Sequence, residues 1–280
     1  MIYSIVVLYN PDDFIEERLQ ILSNESDFLF VIINQLETFD CLKNKISNSE
    51  FICLGKNHGL AKALNIGLRK CLEDDRCKYI ALFDQDSIPK SGMLEILRRS
   101  IETSAVKVAA AGSVISDLKN RNSTIQFNDL VNEVNVIITS GSLIPISSIK
   151  EIGLMDETLF IDYIDYEWCL RAKSKGYKIL QVNDALLYHN MGDTFVTVFG
   201  KSKPLHKNKL RHYYIIRNQL IMLDRNYVPC KWKCIHFLKL FYRIPGYIFL
   251  SDDKKQTAKI IVNAVRDFLT NRKEYNSIKY

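Results

Sequence analysis

The chain has 280 residues, of which 47% are hydrophobic and 25% charged, and its formal net charge is +6. Those values exclude a disordered polypeptide and leave room for one α/β domain with a helical extension. The seven Cys (41, 53, 71, 77, 169, 230 and 234) are odd in number and scattered without a CxxC pair. This pattern excludes a zinc ribbon and a disulfide framework, and predicts reduced, buried, inert thiols in a cytoplasmic protein.

Residues 2–8 form a continuous apolar run with no basic segment before it and no small-residue cleavage site after it, so they read as a first strand and not a signal peptide. Acidic residues followed by apolar ones at helical spacing predict a helix over 11–22. Strands follow at 28–33 and 51–54, then a helix at 60–71 and a strand ending at Asp84. The pattern continues with a helix over 91–103 and a strand over 106–115. Residues 120–135 are polar and irregular, 136–145 are strand-like, and 160–176 begin acidic and end as an amphipathic helix. The alternation predicts a mixed, mainly parallel sheet flanked by helices, with polar residues gathered at the C-terminal strand ends where open sheets bind ligands. Beyond residue 201 the chain reads as a basic helical extension.

Asp84 and Asp86 lie two apart at the end of an apolar strand, so their side chains point the same way. A divalent cation and a diphosphate would relieve the repulsion between them. A solvated strand exit is the alternative. Residues 56–67, KNHGLAKALNIG, place small residues and amides at a loop-to-helix junction that suits an anion, or where Asn57 simply caps the helix. A second acidic cluster, Asp162, Asp165 and Glu167, stands beside Tyr163, Tyr166 and Trp168. Carboxylates there suit a helix N-terminus, and acids beside aromatic faces also suit sugar binding and hydroxyl deprotonation.

In order along the chain, SIVVLYN (4–10), the 57–67 loop, Asp84-Gln85-Asp86, TSGS (139–142) and FIDYIDYEWCLRA (160–172) resemble the inverting family 2 glycosyltransferases of the GT-A fold, and among them the rhamnosyltransferase-like group. The resemblance implies a catalytic domain over 1–200, binding the nucleotide-sugar within about 1–115 and the acceptor within about 116–200, followed by the basic extension at 201–280. It implies that Tyr9, Asn10, Asn34 and Asn57 line a nucleotide pocket, although Ile33-Asn34-Gln35 departs from the family's usual acidic residue. Asp84 would face the ribose or diphosphate, Asp86 would bind Mg²⁺ or Mn²⁺, and His189 would join the metal or remain structural. Asp165 matches the catalytic base, with Asp162 its rival one helical turn earlier. Trp168 and Tyr163 would meet the acceptor, or belong to the core. Residues 211–218 would close over the donor phosphates, or form a solvated basic face.

The expected reaction moves a sugar, foremost L-rhamnose from dTDP-rhamnose with a UDP-sugar as the other donor class, onto a saccharide or lipid-linked saccharide in surface-polysaccharide synthesis. Two rivals stay open on the residues alone: a haloacid-dehalogenase-type phosphatase using Asp84 and Asp86, and a non-catalytic glycan- or nucleotide-binding module. No nucleic-acid motif accompanies the basic region. Residues 231–250 mix aromatic and basic residues, as for an anionic membrane surface at the inner face of the plasma membrane or for a homodimer contact.

Overall fold

The computed structural model describes residues 1–36, 39–117, 130–189, 194–198, 201–205 and 209–276. They fall into two compact units, one of Met1–Glu157 with Ile164–Asn190 and one of Thr158–Tyr163 with Met191–Tyr280. A single cut near residue 200 therefore does not separate them. The short segment 158–163 belongs with the helices because their side chains hold its carbonyls.

The first unit contains β1 (Ile2–Leu8), α1 (Ile15–Glu25), β2 (Phe28–Ile33), α2 (Asp40–Lys43), β3 (Ser49–Cys53), α3 (Leu60–Glu73), β4 (Tyr79–Asp84) and β5 (Ser87–Pro89). It continues with α4 (Met93–Glu102), β6 (Val108–Asp117), β7 (Val131–Val134), β8 (Ser142–Pro145), α5 (Ile146–Ile152), α6 (Ile164–Ser174) and β9 (Lys178–His189). The sheet order is β3-β2-β1-β4-β8-β6-β9-β5, with β7 also paired to β9. Strands β3, β2, β1 and β4 run parallel. Direction reverses at β8, which is antiparallel to both β4 and β6.

β1 and β2 are apolar along nearly their whole length because helices cover both faces of the parallel half. On one face Val6, Leu8, Val31 and Phe83 pack with Leu19 and Leu22 of α1 and Leu97 of α4. On the other, α3 lies so close to β1 that a Cβ at Gly67 would sit 2.7 Å from Ile5 Cγ2. The small residue in that helix thus serves a helix–strand contact and not a ligand. The strand expected over 136–145 forms only at Ser142–Pro145, because Thr139–Ser142 closes a turn and Gly141 takes φ +73°.

The second unit has an antiparallel pair, β10 (Thr194–Val198) and β11 (Lys201–Leu205), then α7 (Lys209–Asp224), α8 (Cys230–Phe249) and α9 (Lys254–Asn276). Ile216, Leu240, Ile261 and Ala264 form its core, with Tyr213, Leu220, Ile244 and Tyr247 packed around them. No helix among the described residues is long and apolar enough to cross a membrane. All seven thiols are free, but only Cys71, Cys77 and Cys169 are buried. Cys41, Cys53, Cys230 and Cys234 are exposed, which corrects the expectation of uniformly buried thiols. Burial pushes the Cys169 thiol up to about 12, so it is inert as a nucleophile near neutrality.

Candidate active site

The C-terminal ends of β1, β2 and β4 bring four of the expected donor residues to one edge of the sheet. Tyr9 leaves β1 47% exposed. Its backbone N–H donates to Gln85 Oε1 at 2.8 Å, while Gln85 Nε2 donates to the Tyr9 carbonyl at 3.1 Å. The middle residue of Asp84-Gln85-Asp86 thereby fastens the end of β4 to the end of β1, and both carboxylates beside it stay partly exposed. Asn10 adopts φ +46°, a conformation Asn tolerates, and its N–H donates to Gln35 Oε1.

Asn34 follows β2 at the same edge. It is buried, and its amide is spent on the loop that enters α3: Nδ2 donates to Asn57 Oδ1 at 3.1 Å and to the Gly59 carbonyl at 3.3 Å, and Oδ1 accepts the His58 N–H at 2.8 Å. Asn57 Oδ1 also accepts the Gly59 N–H at 2.9 Å. These two residues shape the loop, and Asn57 remains at the surface while Asn34 does not.

Three supporting groups are not evident in the sequence. Arg18 of α1 forms a fork to Asp12 at 2.8 and 2.9 Å and reaches the Gln85 carbonyl at 3.3 Å, placing a cation beside the Asp84–Asp86 turn. Its hydrogen bond holds the Asp12 carboxyl below the usual range. The buried Ser140 hydroxyl accepts the Asp84 N–H at 3.0 Å and lies 2.7 Å from Ser87 Oγ, so the 139–142 motif braces the carboxylate turn from below. Next to it Gly141 admits no side chain, since a Cβ there would meet Ser113 Oγ at 2.3 Å. Alternation of small polar residues in TSGS was the available signal for the last of these; nothing local marked Arg18.

His189 ends β9 and pairs in register with Ser87, the residue after Asp86. Its side chain lies outside the described residues.

Asp165 stands in the first turn of α6, half-exposed, with Oδ1 accepting the Tyr166 N–H at 2.8 Å. The same helix is anchored by a pair missed in the sequence. Glu167 and Arg171, 0% and 2% exposed, form a two-point ion pair at 2.7 and 2.9 Å. Arg171 also donates to the carbonyls of Ile152 at 2.6 Å and Leu154 at 2.7 Å. Every charge is thus matched where water is excluded. Trp168 is 2% exposed and its indole N–H donates to the Gly153 carbonyl at 2.9 Å. It is a core residue, which corrects its assignment to the acceptor. Tyr166, 37% exposed, is the aromatic this helix leaves at the surface.

Within the helical unit, Tyr163 is likewise buried, its hydroxyl bonded to Gln219 at 3.2 Å and to Arg243 at 2.7 Å. It presents no face to an acceptor. Asp162 forms a fork with Arg211 at 3.0–3.2 Å. Phe160, Asp162 and Tyr163 all have φ between +60° and +66°, a costly backbone for such residues. Asn218 Nδ2 holds that bend by donating to the carbonyls of Leu159, Ile161 and Asp162 at 2.7, 2.8 and 3.0 Å, and Arg217 donates to Thr158 O at 2.6 Å. Tyr214 stacks on Phe160 and His212 on Tyr247. Residues 211–218 spend these groups inside their own unit.

A family model described as Glycosyl transferase family 2 matches residues 5–142. The dTDP-rhamnosyl transferase RfbF of Shigella flexneri is 33% identical over 246 residues, covering 81% of this chain and 81% of the relative. Among solved structures, S. aureus TarS matches with a TM-score of 0.63 at 15% identity over 96% of this chain, which spans 48% of that TarS chain. A TarS 1-349 complex with UDP-GlcNAc gives 0.62 at 15% identity, covering 96% of this chain and 80% of that one. GalNAc-T7 with UDP, GalNAc and Mn²⁺ gives 0.57 at 12% identity, covering 95% and 57%. At those identities the structural matches establish a shared fold, and the sequence matches supply the lineage. The chain belongs to glycosyltransferase family 2 and has the GT-A fold.

Proposed function

We propose that this glycosyltransferase moves L-rhamnose from dTDP-rhamnose, with inversion, onto a lipid-linked saccharide acceptor at the cytoplasmic face of a membrane. The observation that carries the site is the edge formed by Tyr9, Asn10, Asp84 and Asp86, locked by the Gln85–Tyr9 exchange. The choice of rhamnose is supported by the 33% identical relative, a dTDP-rhamnosyl transferase. In this reading Tyr9 and Asn10 face the nucleotide and Asp84 faces the ribose or diphosphate.

Asp165 takes the proton of an acceptor hydroxyl. The oxygen then attacks the anomeric carbon from the side opposite the nucleotide, and the pair of electrons of the breaking C–O bond leaves with the diphosphate. A single displacement inverts the anomeric centre without a sugar–enzyme bond. Asp162 is the weaker base candidate because the Arg211 guanidinium already pairs with it. Tyr166, one residue beyond Asp165 and exposed, takes the acceptor-facing place that Trp168 and Tyr163 vacate.

The residues present fit Mg²⁺ or Mn²⁺. Asp84 and Asp86 offer two partly exposed carboxylates on one turn, and such hard ions are commonly held by one or two carboxylates together with substrate phosphates. Among the described residues no three or more His, Cys, Asp or Glu side chains gather to hold an ion by themselves, in keeping with a site that the donor completes. When bound, the ion would offset the charge accumulating on the departing diphosphate.

The phosphatase reading of Asp84 and Asp86 loses its ground, because the pair lies in the family 2 match, at the end of the fourth strand of a GT-A sheet and in the turn that follows it. A thermal-shift panel of dTDP, UDP, GDP and their sugars with Mn²⁺ tests the donor. Selective stabilisation by dTDP-rhamnose is expected; selective stabilisation by a UDP- or GDP-sugar would replace it.

A further inference from the structure

Helix α8, CKWKCIHFLKLFYRIPGYIF, has 20 residues and not one Asp or Glu. Its inner side is fully used: His236 and Leu240 are buried, Ile244, Tyr247 and Ile248 pack on the core shared with α7 and α9, and Arg243 bonds to Tyr163 and Gln219. Its outer side is apolar from Cys234 onward. Ile235, Phe237, Leu238, Phe241, Tyr242 and Phe249 are all exposed, Phe241 at 68% and Phe249 at 73%. At about 100° per residue these positions fall within an arc of roughly 160°, joined by Cys234 and Pro245. Lys233 and Lys239 lie at the two edges of that arc, and Lys231 adds a further cation at the N-terminal end.

A stripe of this kind on a water-facing helix would be an association hazard unless something covers it. Its charge identifies the cover. A second copy of the same face would bring the same lysines against one another with no acid on either helix to meet them. An anionic lipid surface meets both features: the aromatic and aliphatic side chains enter the headgroup boundary while the lysines remain at phosphate level. The helix is too charged to cross the bilayer, consistent with a position in its plane.

We propose that α8 docks flat on an anionic lipid surface through the Ile235–Phe249 stripe, with Lys231, Lys233 and Lys239 bound to the headgroup phosphates. Its biological purpose rests on the reading that the acceptor is lipid-linked, whereas the binding itself does not depend on which sugar is transferred.

Flotation of the full chain with phosphatidylcholine–phosphatidylglycerol vesicles of about 2:1 composition tests it, alongside pure phosphatidylcholine vesicles. The wild type is expected to float with the anionic vesicles, less so at high salt, and to remain behind with the neutral ones. Leu238→Asp with Phe241→Asp removes the stripe at two exposed positions, and Lys231→Glu with Lys233→Glu removes charge while leaving the stripe. Each pair is expected to lower vesicle binding by about tenfold or more, with circular dichroism and melting temperature unchanged. Transfer to a soluble acceptor analogue is expected to persist in both, so loss of flotation is distinguishable from loss of the catalytic reading. Unaltered flotation of both variants would overturn the proposal. So would a wild type that fails to float yet forms a dimer that Leu238→Asp dissolves.

Discussion

Gln85 and Tyr9, 76 residues apart in sequence, exchange two hydrogen bonds through a single side-chain amide at 2.8 and 3.1 Å. The residue between the two carboxylates is therefore the tie that sets their position relative to the end of β1. Gln85→Glu keeps the acceptor and loses the donor. It is expected to weaken dTDP binding by about tenfold, with a stability loss of roughly 1 kcal/mol. Titration calorimetry checks the first and urea unfolding the second; unchanged affinity would leave the tie without a role in donor binding.

Removing the outer carboxylate separates metal from fold. Asp86→Ala is expected to unfold at the wild-type temperature and to bind donor equally weakly with Mn²⁺ or EDTA, where the wild type binds far better with Mn²⁺. Calorimetry in the two buffers measures this, and equal wild-type affinity in both would remove the metal from Asp86.

The two candidate bases should separate cleanly. Asp165→Asn is expected to retain donor affinity and lose about 10²–10⁴-fold in kcat, the usual range for a general base. Asp162→Asn removes the partner of Arg211, and its expected effect is a lower melting temperature with most of kcat retained. Single-turnover transfer assays decide, and the reverse pattern would move the base to Asp162.

The strand edge was legible because its signals are local. Continuous apolar runs gave β1, β2 and β4, the two-residue spacing at a strand end gave Asp84 and Asp86, and Tyr9 and Asn10 came through the family resemblance. What failed was reading aromatic residues beside acids as ligand contacts. Trp168 and Tyr163 are as apolar in sequence as Tyr166, and only tertiary packing assigns the first two to cores and the third to the surface. The segment 158–163 was assigned to the catalytic domain for a similar reason, since its anchors at Arg217 and Asn218 lie more than fifty residues away.

The buried ion pair carries a large stability prediction. Arg171→Met removes the guanidinium from the buried Glu167 carboxylate and takes a donor from the Ile152 and Leu154 carbonyls. A loss of about 3–5 kcal/mol is expected. Glu167→Leu combined with Arg171→Met should recover part of it in a urea-unfolding cycle; a double variant no better than the worse single one would refute pairing as the cause.

Acid sensitivity should arise in the helical unit. Burial, reinforced by Lys239 and Arg243, pushes the His236 imidazole down to about 4. In the unfolded chain the same group titrates near its ordinary value of about 6.5, so between those values the unfolded state binds a proton that the folded state refuses. Its contribution is intact above about pH 6.5 and is lost progressively as the pH falls toward 4. Urea midpoints taken across that window should fall less steeply in His236→Gln than in the wild type; parallel curves would assign the acid loss elsewhere.

The reversal of direction between β4 and β8 gives the Asp84 end of the sheet a second chain entry. That end depends on the parallel register of β1 with β2 and β4, where a slip of one residue would turn Asp84 and Asp86 to the other face. The chain between β6 and β8 re-enters the sheet at this same end, where Ser142 pairs with both Leu82 and Gly112. A change of loop length next to residues 139–142 would therefore displace the Ser140 brace and reach the Asp84 turn without altering β4 itself.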